Sequence, residues 1–170
     1  MPTRANSSGQ QQLRKGRVSI GGQAYILTTV THQRRAIFQN LGAARKVVNA
    51  LRYQEEAGRV HSLAYVLMPD HLHWLVVLKG SSDLSNAIRS VKSYSGRRLK
   101  TLFQEEDSED PIWQTGFHDR AVRRDEDLLQ AARYIVANPL RAGLVEQIGN
   151  YPHWDAVWLG EGDGPDWILG

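Results

Sequence analysis

His71 and His73 stand two residues apart inside an apolar run from Tyr65 to Leu78. Alternate side chains of a strand share a face. The two imidazoles would therefore project side by side, an arrangement that can hand both rings to one divalent ion. The same spacing also fits two solvated polar residues on a half-exposed strand. A second set lies further along. Tyr134 and Asn138 fall one helical turn apart and share a face, on a stripe with Gln130 and Arg141, while Leu128, Ala132, Ile135 and Val136 point inward. A hydroxyl, a carboxamide oxygen and two imidazoles form a coherent set: the amide and imidazoles can hold a metal, and the tyrosine can attack something bound to it. Taken singly, Tyr134 fits a packed aromatic equally well, and Asn138 fits a C-terminal cap before Pro139.

The elements that must position these groups can be read in order. Residues 1–16 form a polar arm. The segment 24–31 is β-branched and aromatic, hence a strand. Leu41 to Ala57 carries Leu41, Ala44, Val47, Val48 and Leu51 at helical spacing, and Gly58 closes it. Strands follow at about 61–67 and 71–78, as a hairpin or a continuous bent pair around Pro69-Asp70. A helix opens near Ser82 or Asp83, with Leu84, Ile88, Val91, Tyr94 and Leu99 on one side and Arg89, Lys92, Arg97, Arg98 and Lys100 making a basic face. The acidic stretch 105–110 reads as a loop. Residues 112–114 and 117–123 read as a fourth strand broken at Gly116. A third helix opens at Asp125-Glu126-Asp127 and must end or bend at Asn138, because proline disfavours helical geometry at the residue before it. A short turn then stops at Gly143. The tail, with Trp154, Trp158 and Trp167, reads as an aromatic-anchored coil. The order β-α-β-β-α-β plus a helix predicts an α+β ferredoxin-like sandwich with an antiparallel sheet, its additional C-terminal helix carrying the tyrosine. The expected division is an arm at 1–16, one domain at 17–158 and a tail at 159–170.

The 170 residues include no cysteine, which excludes disulfides, thiolate metal sites and a cysteine nucleophile. No apolar run is long enough for a membrane span, and the polar N-terminus lacks the apolar centre of a signal peptide. A cytoplasmic protein is expected. The net charge of +3 hides a strong asymmetry: residues 1–60 carry +8, residues 61–100 carry +4 and residues 101–170 carry −9. A basic front of this size points to a polyanion partner, although an ordinary solvated surface would show the same count.

The stretch Val66 to His73 (VLMPDHLH) resembles the HUH motif of single-tyrosine transposases, with Leu72 as its apolar middle residue. The stretches Trp113 to Arg120 (WQTGFHDR) and Arg133 to Gly143 (RYIVANPLRAG) are similar to the second half of that family, in particular its REP-associated tyrosine transposases. The resemblance extends over about residues 17–158. It implies a ferredoxin-like fold, a divalent metal and cleavage of single-stranded DNA through a covalent 5′-phosphotyrosine. By position, it assigns His71, His73 and Asn138 as metal ligands and Tyr134 as nucleophile. It also implies DNA contacts from the N-terminal arm (Arg14, Lys15, Arg17) and from Arg120, Arg123, Arg141 and His118. The expected partner is single-stranded and hairpin DNA of repetitive extragenic palindromes, which would place the protein at the nucleoid. No membrane partner is expected.

A free tyrosine has a pKa of about 10, so roughly one in a thousand is ionised near pH 7. A metal at the two histidines and Asn138 would draw charge from the phosphate oxygens and orient the bond. Attack by the hydroxyl would expel a 3′-hydroxyl and leave a phosphotyrosine, which another 3′-hydroxyl can reverse. Magnesium prefers oxygen ligands and manganese accepts imidazole more readily, so either suits the set. No general base is evident, with His118 a candidate. Trp74 and Tyr94 could stack on bases, though both also fit core positions. Two other readings stay open: a domesticated module that binds hairpin DNA without cutting, and a metal-dependent phosphodiester hydrolase using water.

Overall fold

The computed structural model describes residues 19–123 and 128–157 of the chain. The expected arm at 1–16, the boundaries at 16 and 158, the acidic helix opening at 125–127 and both Trp158 and Trp167 lie outside the described residues. Five strands form one antiparallel sheet: β1 (Ala24–Val30), β2 (Val60–Met68), β3 (His71–Leu78), β4 (His118–Ala121) and β5 (Trp154–Ala156), in spatial order β4-β1-β3-β2-β5. Helices α1 (Leu41–Glu56) and α2 (Leu84–Phe103) connect the first four strands. Helix α3 (Leu128–Val136) and the single turn α4 (Asn138–Arg141) follow β4. The first four strands and two helices make the expected ferredoxin-like α+β arrangement.

Local chemistry sets the boundaries. The Asn40 side chain accepts from the Ala43 amide to start α1, and Asp83 accepts from the Ser85 amide to start α2. Gly58 follows α1 with φ +70°, a conformation that glycine adopts without steric cost. β2 and β3 form a tight hairpin, pairing Met68 with His71 across Pro69-Asp70. That turn is anchored from outside: Phe38 N–H donates to the Pro69 carbonyl, and both the amide and the hydroxyl of Thr31 donate to the Asp70 carbonyl.

Two cores lie on opposite faces of the sheet. On one, Leu72, Trp74, Val76 and Leu78 of β3 pack with Ala44, Val47, Ile88 and Val91 of α1 and α2. Trp74 is fully buried and its indole N–H donates to Ser62 Oγ at 2.8 Å, so it is a core residue and no base-stacking platform. On the other face, Leu75 joins Val66, Met68 and the α3 residues Ala131, Ala132, Ile135 and Val136.

Two expectations are corrected. The fourth strand is shorter than 112–123. Only residues 118–121 pair along β1, whereas Trp113 makes a single bridge to Thr31. Gly116, at φ +83°, turns the chain between these pieces. The tail is also more than a coil, since residues 154–156 add an edge strand to β2.

Candidate active site

The alternation of β3 decides where the histidines go. Leu72 and Trp74 belong to the face under α1 and α2, so His71 and His73 belong to the other, in line with Leu75, which packs under α3. Their ring centroids are 4.8 Å apart and nearly perpendicular. Each ring is held through Nδ1. His73 Nδ1 lies 2.8 Å from the hydroxyl of Thr28, its partner across β1. His71 Nδ1 lies 2.6 Å from Asp70 Oδ1, and Arg34 holds the other Asp70 oxygen at 3.2 Å. Burial works against the Asp70 carboxylate, but the hydrogen bonds and charges of His71 and Arg34 prevail and hold its pKa below the usual value. Burial, with like charge from His71 and Arg141, pushes the His73 pKa down to about 4. His73 is therefore neutral near pH 7. In the tautomer that donates Nδ1–H to Thr28, its Nε2 lone pair is left for a ligand.

The tyrosine and asparagine come from a helix interrupted by proline. In an unbroken helix the amide of residue 139 would bond the Ile135 carbonyl. Pro139 has no N–H. The side-chain amide of Asn138 takes its place, donating to Ile135 O at 2.8 Å. This fixes the carboxamide by its nitrogen and leaves Oδ1 as an acceptor. The turn ends as expected at Gly143, with φ +68°. Tyr134 is 66% exposed. The Arg141 guanidinium lies 4.1 Å from the Tyr134 ring centroid and donates to the Tyr134 carbonyl at 2.7 Å. The charge of Arg141 is also felt at His73, so this one side chain ties the tyrosine's turn electrostatically to the histidine face.

The donor set suits a divalent cation. Two imidazoles are oriented by a hydroxyl and a carboxylate, the outer-shell pattern typical of metal-binding histidines. A carboxamide oxygen is presented by a side chain already anchored at its nitrogen. Among the described residues no group of three or more His, Cys, Asp or Glu is disposed around a metal position. The Asn138 oxygen is a neutral donor that could serve as a third protein ligand.

The remaining expected residues fall in different places. His118 pairs with Thr28 across β1, which puts it on the same rung and face as His73, two strands away. Arg120 is two rungs further along β4 on the same face, opposite Ile26. Arg123 is exposed beyond β4. Arg14, Lys15 and Arg17 lie outside the described residues. Of the other tyrosines, Tyr151 is buried and donates to the Leu67 carbonyl, and burial pushes its pKa up to about 12. Tyr94 stacks on Tyr53. The supporting roles of Thr28, Asp70 and Arg34 were missed in the sequence. Only Asp70 carried a signal, as a carboxylate directly before a histidine.

Residues 20–138 match the family described as "Transposase IS200 like". A REP-associated tyrosine transposase of Escherichia coli (strain K12) is 30% identical over 92 residues, 52% of this chain and 50% of that protein. A Haemophilus influenzae protein assigned provisionally to the same group is 31% identical over 100 residues, 54% of this chain and 56% of that protein. The chain thus spans about half the length of these curated relatives. Among solved structures, a REP-associated tyrosine transposase bound to a REP hairpin superposes with a TM-score of 0.67 at 24% identity, over 81% of this chain and 79% of that one. At that identity the likeness is one of fold.

Proposed function

Given that the chain belongs to the IS200-like transposase family, we propose that it is a metal-dependent DNA strand transferase, which cleaves and rejoins single-stranded DNA beside hairpin elements through a 5′-phosphotyrosine. The observation that carries this reading is the convergence on one sheet face of two Nδ1-anchored histidines and the proline-broken helix that bears Tyr134 and Asn138. The relative solved with a REP hairpin supports a palindromic substrate, and a protein acting on such DNA works at the nucleoid. No helix among the described residues is long and apolar enough to cross a membrane.

In this reading His71, His73 and the Asn138 oxygen would hold magnesium or manganese. A bound ion would supply Lewis-acid polarisation of the scissile phosphate. Tyr134 Oη, open to solvent, attacks the phosphorus. The P–O3′ bond breaks, the upstream strand leaves with a 3′-hydroxyl, and the downstream strand stays on the tyrosine through its 5′ phosphate. The tyrosine loses one proton and the leaving oxygen gains one, so the step is neutral in protons and reversible. Arg141, stacked on the tyrosine ring, supplies positive charge beside the developing phenolate. His118 and Arg120, on the same sheet face but about 10 and 12 Å from His73 by strand spacing and rise, would meet neighbouring phosphates, with Arg123 and the arm residues Arg14, Lys15 and Arg17 extending the basic contact.

The test is Tyr134→Phe, which keeps the ring and removes the attacking oxygen. Wild-type protein with Mg²⁺ or Mn²⁺ and a flanked hairpin should give a covalent protein–DNA band on a denaturing gel. The variant should bind the hairpin and give no cleavage and no band. A band from the variant would move the nucleophile to another tyrosine. Cleavage without any band would point to water. Hairpin binding by the wild type without cutting under any metal would leave a binding module.

A further inference from the structure

Helix α2 and the loop that leads into β4 enclose a groove of about 630 Å³ on the sheet face opposite the histidines. One stripe of α2 lines it, with Arg89, Lys92, Gly96, Arg97 and Lys100 at positions i, i+3, i+7, i+8 and i+11. The facing wall is residues 111–117, whose Ile112 and Trp113 are rooted in the core while Phe117 is half buried. That wall is fixed. The Lys92 ammonium donates to the carbonyls of Gln114 and Gly116, and the Trp113 indole N–H donates to Ser95 Oγ at 3.0 Å. Lys100 likewise donates to the Ser108 carbonyl. Two cations remain for a ligand. Arg89 and Arg97 are exposed, and among the described residues they hydrogen-bond Asn86 and the Ser93 carbonyl of their own helix. Neither is in an ion pair among the described residues. They stand about 12 Å apart along the helix. Among the described lining residues Glu109 is the acid.

Cations along one wall, with exposed Pro111 and half-buried Phe117 on the other, suit a polyanion with stackable faces. The groove also leads to the candidate active site. Its wall hydrogen-bonds the end of β1: His32 N–H donates to Ile112 O and Gln114 N–H to Val30 O. Val30 pairs directly with His71, and Phe117 passes into His118 on the histidine face. A strand lying in the groove thus leaves it at the end of the sheet that carries the histidines. We infer that this groove holds the single-stranded flank of the DNA substrate and guides it round the β4 edge to the histidine face. The inference rests on the DNA-processing reading and adds to it the path of the flank.

Fluorescently labelled hairpins with and without a single-stranded flank give the test. Arg89→Ser with Arg97→Ser removes two charges from the groove. Arg45→Ser with Arg52→Ser removes two from exposed positions on α1 and serves as control. The groove variant should lose about tenfold or more in affinity for the flanked hairpin. Its salt slope should fall by about 1.4, two contacts at roughly 0.7 each for a single strand. The bare hairpin should bind as before, and the control should bind both DNAs nearly as the wild type does. A flank carrying 5-iodouracil should photocrosslink within residues 111–117. Equal losses for both variants, or equal losses for flanked and bare hairpins, would reduce the effect to general charge and overturn the groove assignment alone, as would an unchanged groove variant. A wild type that binds neither DNA overturns the DNA-processing reading, and this inference with it.

Discussion

On one face of β3, Leu72, Trp74, Val76 and Leu78 are all buried, covered by helices of 16 and 20 residues. On the other face Leu75 is buried under α3, while His71 and His73 stay partly open at the strand's start. The covering helices differ in kind. α3 meets the sheet largely through Ala131, Ala132, Ile135 and Val136 and then breaks at proline, exposing Tyr134. The parity of a single strand thus separates residues that hold the fold from residues that can do chemistry. The polar pair is tolerated because each ring has a partner for Nδ1.

The contrast is broken or sharpened most strongly by substituting neighbours of opposite parity. Trp74→Ala should cost about 3–5 kcal/mol in urea unfolding, since it leaves a large cavity and strips Ser62 of its donor. His73→Ala should cost under about 1 kcal/mol yet abolish the covalent adduct. Equal stability losses would mean that both faces serve the core alike.

A smaller effect comes from pH. The folded pKa of His73 is pushed down to about 4, below the ordinary imidazole value of 6.5. Between those values the unfolded chain binds a proton that the native chain does not. Stability is therefore complete above pH 6.5, falls as the pH drops towards 4 and is unaffected by this group below that. At 1.36 kcal/mol per unit the loss approaches about 3 kcal/mol. In metal-free protein with chelator, His73→Gln should remove that part of the slope from urea midpoints measured between pH 7 and 4. An unaltered slope would mean that the ring is better solvated than its surroundings indicate.

The smallest effect concerns the partner of His73. Thr28→Val keeps the shape of the strand and removes the hydroxyl at Nδ1. Mn²⁺ affinity, followed by calorimetry, should weaken about 10- to 100-fold, with little change in urea midpoint. Unchanged affinity would show that the ring is oriented by packing alone.

Much of this was legible from local pattern. Strand β3 spans the expected 71–78, α1 runs from Leu41 as its spacing required, Asp83 caps the start of α2, and Gly58 and Gly143 close α1 and the turn after Pro139. The bend at Asn138-Pro139 followed from the restriction that proline places on the residue before it. Other features carried no local signal. β5 is three residues long, too short for alternation to show, and forms only because β2 offers an edge. In β2 the register slips between Ser62 and Ala64. This puts Ser62 under Trp74 and still turns Val66 and Met68 toward α3, a change of phase that no period-two pattern records. The shortening of the fourth strand came from Gly116 and from the grip of Lys92 on the carbonyls around it.

By itself the sequence determined which residues share a face: the histidines by strand parity, Tyr134 and Asn138 by helical spacing, and the basic row of α2 by the same rule. These are periodicities of a backbone that depend on nearest neighbours. Only the tertiary structure decided which face met which. The side of the sheet that α3 covers, the choice of Thr28 and Asp70 as partners for the rings, the reach of Arg141 toward His73 and the groove behind α2 all depend on pairing across long stretches of chain. Such pairing is set by how two cores fill opposite faces of one sheet, and no local spacing encodes it.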